Sequence, residues 1–458
     1  MNVLFINPPN LPYSEKDILI EPIDILALTT YVQKLNNSVC FLDMDCKKIG
    51  IKGLREYIKN IFNPQIAILA FDYHIPLHTT EALKNYFEIF KELKNRKIIT
   101  IFIGKLVTYM PEIIKKLDFD IGILGEPEIT LQEILSNSKD LNEIKGIVYK
   151  KEGKIIINEK RDEKIDLNEL PVPNRDLIDI NDYIDVRTIL TSRGCNNQCS
   201  FCPVHKYWGR WRKRNSEKII EEIAYLVKKY NSKKILFLDD NSTVDQKRMK
   251  QISNGIIDKN IKVRLGCLAS INTYDKETFE LMYKAGFRWV HFGIESGSQK
   301  VLKYNNKNFD IAKAKNVIKE VKQMGYRVRT SFILDLPDTK REDMYETIKF
   351  IMDTQPDEIR AHFLSLRLGT NLYDKIVDNN EIPVQYIHSS KPLIKNINYS
   401  HKELLEDIQI LEKELEKNNY SIIKDVSQWN NIESLRNKDG KIKFLSFCPS
   451  KYGIDWTY

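Results

Sequence analysis

Three cysteines, Cys195, Cys199 and Cys202, stand within eight positions in "CNNQCSFC", with the spacing Cys-x3-Cys-x2-Cys. Thiolates spaced this closely are ligands for zinc or for an iron–sulfur cluster. His205 could complete a zinc site, although zinc ligands usually come from two turns separated by a longer loop. Three cysteines on one loop can instead hold three irons of a 4Fe–4S cluster and leave the fourth iron open. We therefore expect a reactive iron–sulfur site, with zinc as the alternative.

The elements that must position these cysteines are predicted by apolar runs that alternate with helical patterns. The runs lie at 186–192, 234–240, 263–270, 289–296, 327–337 and 358–366. Strands that alternate with helices indicate βα units and a parallel sheet. The pattern predicts a partial (β/α)6 barrel of the TIM type over residues 185–384. Reactive groups in such barrels lie at the carboxyl ends of the strands, and the cysteines directly follow the first strand.

A second alternating pattern occupies residues 1–137. Five apolar runs, at 3–7, 39–45, 66–71, 98–104 and 121–125, are separated by helical segments. They predict an α/β fold with a doubly wound, Rossmann-like parallel sheet of the flavodoxin type. The loop after the first run is "NPPN" and has no G-x-G-x-x-G, which argues against a nicotinamide or flavin dinucleotide site.

Two further segments complete the predicted organisation. Residues 138–184 are expected to form a β-hairpin, with its turn at Glu152-Gly153, and an extended linker stiffened by prolines. Residues 385–458 contain one clear helical pattern, "HKELLEDIQILEKELEK". We interpret them as a small, mostly helical C-terminal region that caps the substrate site.

Composition places the chain among soluble proteins of a reducing compartment, which favours the cytoplasm. No run approaches the roughly 18–20 apolar residues of a membrane span, and the N-terminus has no signal-peptide pattern. Seven cysteines, three of them clustered, fit metal binding better than disulfides. The net charge of +8 is small for 458 residues and is weak evidence for nucleic-acid binding.

The motifs over residues 186–374 resemble, in order, those of the radical S-adenosylmethionine (SAM) superfamily. The aromatic Phe201 precedes the last cysteine, as it does in that family. The resemblance implies that SAM chelates the open iron. It also implies that one-electron reduction cleaves SAM to a 5′-deoxyadenosyl radical, which abstracts a substrate hydrogen. An electron donor such as flavodoxin or ferredoxin is then expected.

Two later motifs imply where SAM would lie. "FLDDNSTVD" resembles the family's second-strand segment, which places the amino group of SAM near Asp239 and Asp240. "FGIESGSQKVL" is similar to its ribose-contacting segment, which points to Glu295 and Ser296.

The N-terminal region resembles the cobalamin-binding branch of the same superfamily. "IGILGEPEITLQEIL", which contains Gly125, and "GKLVTYMPE", which begins at Gly104, correspond to its motifs and imply cofactor contacts at both glycines. Lys105 stands where relatives typically have a glycine, so it could obstruct the nucleotide tail or extend away from it. His74 and His78 could face a corrin ring, or could be ordinary surface or core residues.

Three other residues are candidates for catalysis. Tyr207 lies in the aromatic and basic stretch "HKYWGRWRKR", which we expect to line the active site rather than to bind RNA. His291 shares strand parity with Glu295 and could act as an acid or base, or could be a satisfied buried histidine. Cys267 could return a hydrogen atom, as in some radical SAM epimerases, or could be a small buried hydrophobe.

The sequence therefore predicts a radical SAM enzyme that modifies an unactivated carbon of a small-molecule or peptide-like substrate. Cobalamin-dependent C-methylation is the outcome expected from the branch. Cobalamin-independent ring closure, rearrangement, dehydration or epimerisation is the alternative, and a non-catalytic zinc protein is the alternative of another class. An RNA substrate is disfavoured because no RNA-binding module is visible.

Overall fold

The computed structural model describes residues 1–10, 19–73, 82–136, 140–376, 399–423 and 443–446. His74, His78 and Cys448 lie outside these ranges. The chain divides into two compact units, and each is described separately. The first unit comprises Met1–Ile184, Lys206–Trp208 and Leu366–Ile387, and the second comprises Asp185–His205, Gly209–Ser365 and His388–Tyr458. The four-part division at 137, 184 and 384 stays a prediction.

The first unit is built on a seven-stranded sheet. Its strands are β1 (Asn2–Asn7), β2 (Ser38–Asp43), β3 (Ile66–Ala70), β4 (Ile99–Ile103), β5 (Ile121–Ile123), β6 (Ile147–Lys151) and β7 (Lys154–Ile157). The spatial order is β2-β1-β3-β4-β5-β6-β7, with β1 to β5 parallel. This is the predicted flavodoxin-type order, in which ligands bind outside the carboxyl ends of the strands. β6 and β7 form the predicted antiparallel hairpin, whose turn residues Glu152 and Gly153 both have positive φ.

Helices cover the first sheet. They are α1 (Ile23–Lys34), α2 (Ile51–Asn60), α3 (Leu83–Asn95), α4 (Lys105–Tyr109), α5 (Ile114–Leu117), α6 (Glu128–Ser136) and α14 (Asn371–Ile376). α3 shows why they pack, because its buried residues recur every three to four positions and form one apolar face. Phe90 on that face lies 5.6 Å from Phe102 of β4, ring centre to ring centre, and Phe102 lies 5.1 Å from Phe119.

The second unit contains an eight-stranded sheet. Its strands are β8 (Arg187–Ile189), β11 (Lys234–Phe237), β12 (Arg264–Ala269), β13 (Phe287–Glu295), β14 (Arg327–Ile333), β15 (Glu358–His362), β16 (Ser421–Ile423) and β17 (Phe444–Ser446). The order β16-β17-β15-β14-β13-β12-β11-β8 is parallel throughout. The six strands predicted for the partial barrel are therefore confirmed. The C-terminal region differs from the expectation in adding two short strands to this sheet.

Helices connect the strands of the second sheet and bury its outer face. They are α8 (Ser216–Tyr230), α9 (Gln246–Asp258), α10 (Lys276–Lys284), α11 (Gln299–Tyr304), α12 (Ile311–Gln323), α13 (Arg341–Thr354) and α15 (His401–Lys417). The two-residue strand β9 (Ser192–Arg193) comes just before the cysteines, and α7 (Val204–Trp208) and the two-residue strand β10 (Arg212–Lys213) follow them. No described helix has both the length and the apolar character needed to cross a bilayer.

The inner face of β13 to β15 is polar, in contrast to the apolar interior usual for parallel barrels. The carboxylate of Glu358 accepts a hydrogen bond from Arg329 Nε at 2.5 Å and one from Trp289 Nε1 at 3.3 Å. It also pairs with Arg327. Arg329 lies 4.9 Å from the centre of the Trp289 ring. One carboxylate thus pairs with a buried guanidinium group, that of Arg329, and a partly buried one, that of Arg327, and ties neighbouring strands together.

Candidate active site

A cavity of about 250 Å³ lies at the carboxyl ends of the second unit's strands. The cysteine loop, residues on or just after β11 to β14 and one residue from the segment after α11 form its walls. Seven of the residues predicted from sequence line it: Cys195, Cys199, Phe201, Cys202, Asp240, His291 and Glu295. The parallel sheet therefore brings together side chains that lie up to a hundred positions apart in the chain.

The start of the cysteine loop is fixed by Asp239. Its carboxylate accepts hydrogen bonds from the backbone N–H of Thr191 at 2.6 Å and of Ser192 at 2.9 Å. Asp239 is fully buried and does not line the cavity, whereas its neighbour Asp240 does. Asp239 therefore positions the loop, and Asp240 is the carboxylate that faces the site.

Gly194 allows the loop to turn directly before the first cysteine. Its φ is +90°, a left-handed conformation that favours glycine. A Cβ at this position would lie 3.2 Å from the carbonyl oxygens of Gly209 and Arg210. Arg214 secures the returning segment, because its guanidinium donates to the Leu190 carbonyl at 2.9 Å. The basic stretch after the cysteines thus anchors the loop at Arg214.

The other side of the cysteine loop is tied to the segment after α11. Ser200 donates its backbone N–H to the Asn305 carbonyl at 3.0 Å, and Asn306 Nδ2 donates to the Gln198 carbonyl at 2.7 Å. The next residue of that segment, Lys307, enters the cavity. The contacts that hold the loop therefore also place a cation beside it.

Burial raises the pKa of all three cysteine thiols, and for Cys202 it does so to about 12. The Lys307 ammonium acts in the opposite direction on Cys195 and Cys199. Metal or cluster binding must therefore expel thiol protons, as thiolate ligation requires. Three thiols on one cavity wall, beside a cation that offsets their negative charge, fit a cluster with one open position.

The alternative zinc site depends on His205. Its Nε2 lies 3.4 Å from the side-chain nitrogen of Gln198, and His205 is not among the residues that line the cavity. Within the described ranges, no three or more His, Cys, Asp or Glu side chains lie close enough together to hold a single metal ion. The structure therefore gives the zinc alternative no support.

Glu295 and Lys307 form an ion pair inside the cavity, with Oε1 and Nζ 3.4 Å apart. Glu295 has φ +71°, a rare conformation for a non-glycine residue that is often found at functional sites. Gly293 leaves room for this pair, since a Cβ there would lie 2.4 Å from Glu295 Oε1 and 3.2 Å from Lys307 Nζ. Burial lowers the pKa of Lys307, but Glu295 and the thiols outweigh it and raise the pKa overall. The lysine is therefore a fixed cation.

His291 and Cys267 lie in contrasting environments. His291 lines the cavity, and its buried Nε2 has no hydrogen-bond partner in the structure. Burial, with Arg329 and other nearby cations, holds the pKa of His291 well below its usual range, so the ring is neutral. Cys267 belongs to the hydrophobic core and is fully buried, while the adjacent Leu268 lines the cavity. Cys267 therefore lies on the face of β12 opposite the cavity, which favours the alternative of a small buried hydrophobe, and its catalytic role stays a prediction.

Ser296 and Tyr207 also lie outside the cavity. The Ser296 hydroxyl accepts the Ser298 N–H at 3.1 Å and lies 3.5 Å from the Thr347 hydroxyl, so it shapes the turn after β13. Tyr207 belongs to the first unit, where its hydroxyl donates to the Gly125 carbonyl at 2.9 Å. Both contacts support local structure.

The two glycines predicted to contact a second cofactor follow strands of the first unit. A Cβ on Gly104, after β4, would lie 2.1 Å from the Phe71 carbonyl oxygen, so this glycine permits close backbone packing. Gly125, after β5, has φ +91° and no atom within 4 Å of a Cβ position. An atom placed at this Cβ position would therefore meet no protein atom within 4 Å. Lys105, beside Gly104, is buried at the same edge of the sheet.

Sequence reasoning missed Lys307 and the two asparagines before it. They lie in "YNNKNF", a polar stretch after a helix that has no metal-ligand spacing or strand pattern. The only available signal was a cluster of asparagines, which more often marks an ordinary turn.

This chain resembles known proteins in part of its sequence and over most of its length. Residues 189–351 match the model of the Radical SAM superfamily. An uncharacterized methyltransferase of Pyrococcus horikoshii is 28% identical over 83% of this chain and 84% of its own length. An anaerobic magnesium-protoporphyrin IX monomethyl ester cyclase of Synechocystis is 22% identical, over 81% of this chain and 77% of its own length.

A solved structure shares the fold. The radical S-adenosylmethionine methyltransferase TsrM from Kitasatospora setae, with cobalamin and a [4Fe-4S] cluster bound, superimposes with a TM-score of 0.70. The match covers 88% of this chain and 80% of that protein, at 17% sequence identity. At this identity the similarity establishes the fold.

Proposed function

We propose that this chain is a radical SAM enzyme, which cleaves SAM reductively and modifies an unactivated carbon of a metabolite. The match of residues 189–351 to the model of that superfamily supports the proposal. The observation that carries the proposal is the cavity lined by three cysteines from one loop and by the buried Glu295–Lys307 pair. A bound 4Fe–4S cluster would supply one electron to the SAM sulfonium, which yields methionine and a 5′-deoxyadenosyl radical.

Each lining residue has a proposed role. Cys195, Cys199 and Cys202 hold three irons as thiolates. Lys307 faces the carboxylate of SAM, and Asp240 faces its amino group, because opposite charges compensate each other's desolvation. The rest of the wall is proposed to bind the nucleoside, with Glu295 accepting from a ribose hydroxyl and Phe201 beside the cluster. His291 offers its unpartnered nitrogen to SAM or to the substrate.

Anaerobic reconstitution with iron and sulfide tests this proposal. The wild-type protein should take up a cluster with broad visible absorption, and should form 5′-deoxyadenosine and methionine from SAM and dithionite. Cys199→Ala should abolish both products. Cys40→Ala is the matched control, since Cys40 lies on β2 of the first unit. A wild-type protein that binds one zinc and cleaves no SAM, or a Cys199→Ala variant that still cleaves it, would contradict the proposal.

We propose C-methylation with cobalamin held by the first unit as the overall reaction. Three observations support it: the methyltransferase relative, the fold shared with a protein that binds cobalamin, and the open space at Gly125. Transfer of label from methyl-labelled SAM to a corrin retained by the protein is the direct test. Absence of transfer, while SAM is still cleaved, would leave methylation without support.

A second reaction class is favoured by two observations. The side chain of Lys105 fills part of the first unit's carboxyl edge, and one relative is a cyclase. Ring closure, rearrangement, dehydration or epimerisation would need no cobalamin, and the first unit would then be structural. Both reactions use a small-molecule or peptide-like substrate, an electron donor such as flavodoxin or ferredoxin, and a cytoplasmic setting.

A further inference from the structure

Lys105 is a buried cation in the first unit, with 3% of its side chain exposed. Its ammonium donates to the Asp72 carbonyl at 3.1 Å and to the Tyr73 carbonyl, and it lies 3.4 Å from the Asp72 carboxylate. Asp72 is itself buried. Burying an ammonium is costly unless it is paired and hydrogen-bonded, so these contacts explain how the amine stays inside the protein.

The Lys105 ammonium lies where doubly wound sheets bind ligands, not in the hydrophobic core of the unit. Lys105 begins α4 directly after β4, and residues 72–73 come directly after β3. The side chain therefore bridges the carboxyl ends of two adjacent parallel strands, which is the edge where doubly wound sheets bind ligands. The Tyr207 ring lies over the amine, with its centre 4.9 Å from the ammonium.

The contacts of the Lys105 ammonium also fix the backbone conformation of the turn at residues 72–73. Asp72 has φ +50°, a conformation that is uncommon for aspartate. The ammonium holds this turn through two successive carbonyl oxygens, those of residues 72 and 73. Gly125, at the end of the neighbouring strand β5, keeps open space next to its Cα. The edge is thus closed at Lys105 and open at Gly125.

We propose that Lys105 caps a cobalamin site at this edge of the sheet: its ammonium lies between the carboxyl ends of β3 and β4, and cobalamin binds fully only when the amine has left. The inference rests on the proposed cobalamin function of the first unit. In this proposal Lys105 sets the affinity for the corrin. While its ammonium stays in place, only the part of the edge next to Gly125 is open to a ligand.

The size of the effect follows from population arithmetic. When only a fraction of the molecules is competent to bind, the apparent affinity falls by that fraction. A minor open state is typically populated at about 0.1–10%. Removing the cap should therefore raise corrin affinity by about tenfold or more.

The test uses the full-length, anaerobically reconstituted protein and hydroxocobalamin in equilibrium dialysis, with corrin absorbance as the readout. Lys105→Ala alone would leave the Asp72 carboxylate buried and unpaired, so the variant to measure is Lys105→Ala with Asp72→Asn. Lys105→Met separates charge from bulk, because it keeps most of the side-chain length. Lys116→Ala, an exposed lysine of α5, is the control. Melting temperatures show that each variant is folded.

Support would be an affinity at least about tenfold higher for the double variant than for wild type, with Lys116→Ala unchanged. Equal, measurable affinities would overturn the cap and leave the cobalamin function standing. Weaker binding by the double variant would also overturn it, because Lys105 would then hold the ligand. No corrin binding by any of the folded proteins would overturn both the cap and the cobalamin function.

Discussion

Gly293→Ala is expected to weaken SAM binding without changing cluster content. The added Cβ would lie 2.4 Å from Glu295 Oε1, and ordinary contacts begin at 3.4 Å, so the carboxylate must retreat by about 1 Å. A retreat directly away from the Cβ, which itself would lie 3.2 Å from Lys307 Nζ, lengthens the Glu295–Lys307 distance from 3.4 Å to about 3.9 Å. At an effective dielectric constant of about 20, the pair then loses about 0.7 kcal/mol of attraction.

A loss of this size corresponds to about a threefold change in an equilibrium constant. We expect the dissociation constant for SAM to rise by about that factor, because both members of the pair are proposed SAM contacts. Anaerobic equilibrium dialysis with SAM measures it, and iron analysis checks the cluster. Gly153→Ala, in the β6–β7 turn, is the control, since its Cβ would meet no atom within 4 Å. A folded, iron-loaded Gly293→Ala protein with unchanged SAM affinity would refute the reasoning.

Three further predictions concern stability and loop geometry. Glu358→Gln should cost about 3–5 kcal/mol at neutral pH, because the buried Arg329 and the partly buried Arg327 lose their carboxylate. Although burial raises it, Arg329 and Arg327 hold the pKa of Glu358 below the ordinary value of 4.5. The carboxylate's contribution is therefore present above pH 4.5 and lost as the pH falls through the folded pKa, so denaturation midpoints of wild type and variant should converge in acid. Cys267→Ser should lower the free energy of unfolding by about 1–3 kcal/mol and leave SAM cleavage unchanged; lost cleavage in a folded variant would restore a catalytic role. Gly194→Ala should reduce iron per chain, because its φ of +90° and the crowded carbonyls oppose a Cβ; full iron loading would count against the loop geometry.

Most of the fold could be predicted because its strands are short apolar runs separated by helical patterns. The flavodoxin-type order of the first unit and the six barrel strands follow from that alternation and from the preference for parallel βαβ connections. The strands β16 and β17 could not be predicted. Each has three residues, and β17 joins β15, which lies some eighty positions earlier in the chain. Such long-range pairings leave no local pattern.

The site was predictable where the chemistry is local in sequence. The cysteines and Phe201 share one loop, and Glu295 ends a clear strand. Asp239 and Asp240 show the limit of this reasoning. Adjacent residues face opposite ways, and the sequence cannot tell which of the two carboxylates is hydrogen-bonded to the backbone of the cysteine loop. For Cys267, strand parity could have been used, because alternate residues of β12 face the core. Lys307 depended on tertiary contacts alone.

The central claim is that the three cysteines leave one iron of the cluster open to SAM. The most direct measurement is electron paramagnetic resonance of the reduced, reconstituted protein before and after SAM is added. An open iron predicts that SAM changes the spectrum of the cluster, and that 5′-deoxyadenosine then accumulates. A reduced cluster whose spectrum is the same with and without saturating SAM would contradict the account.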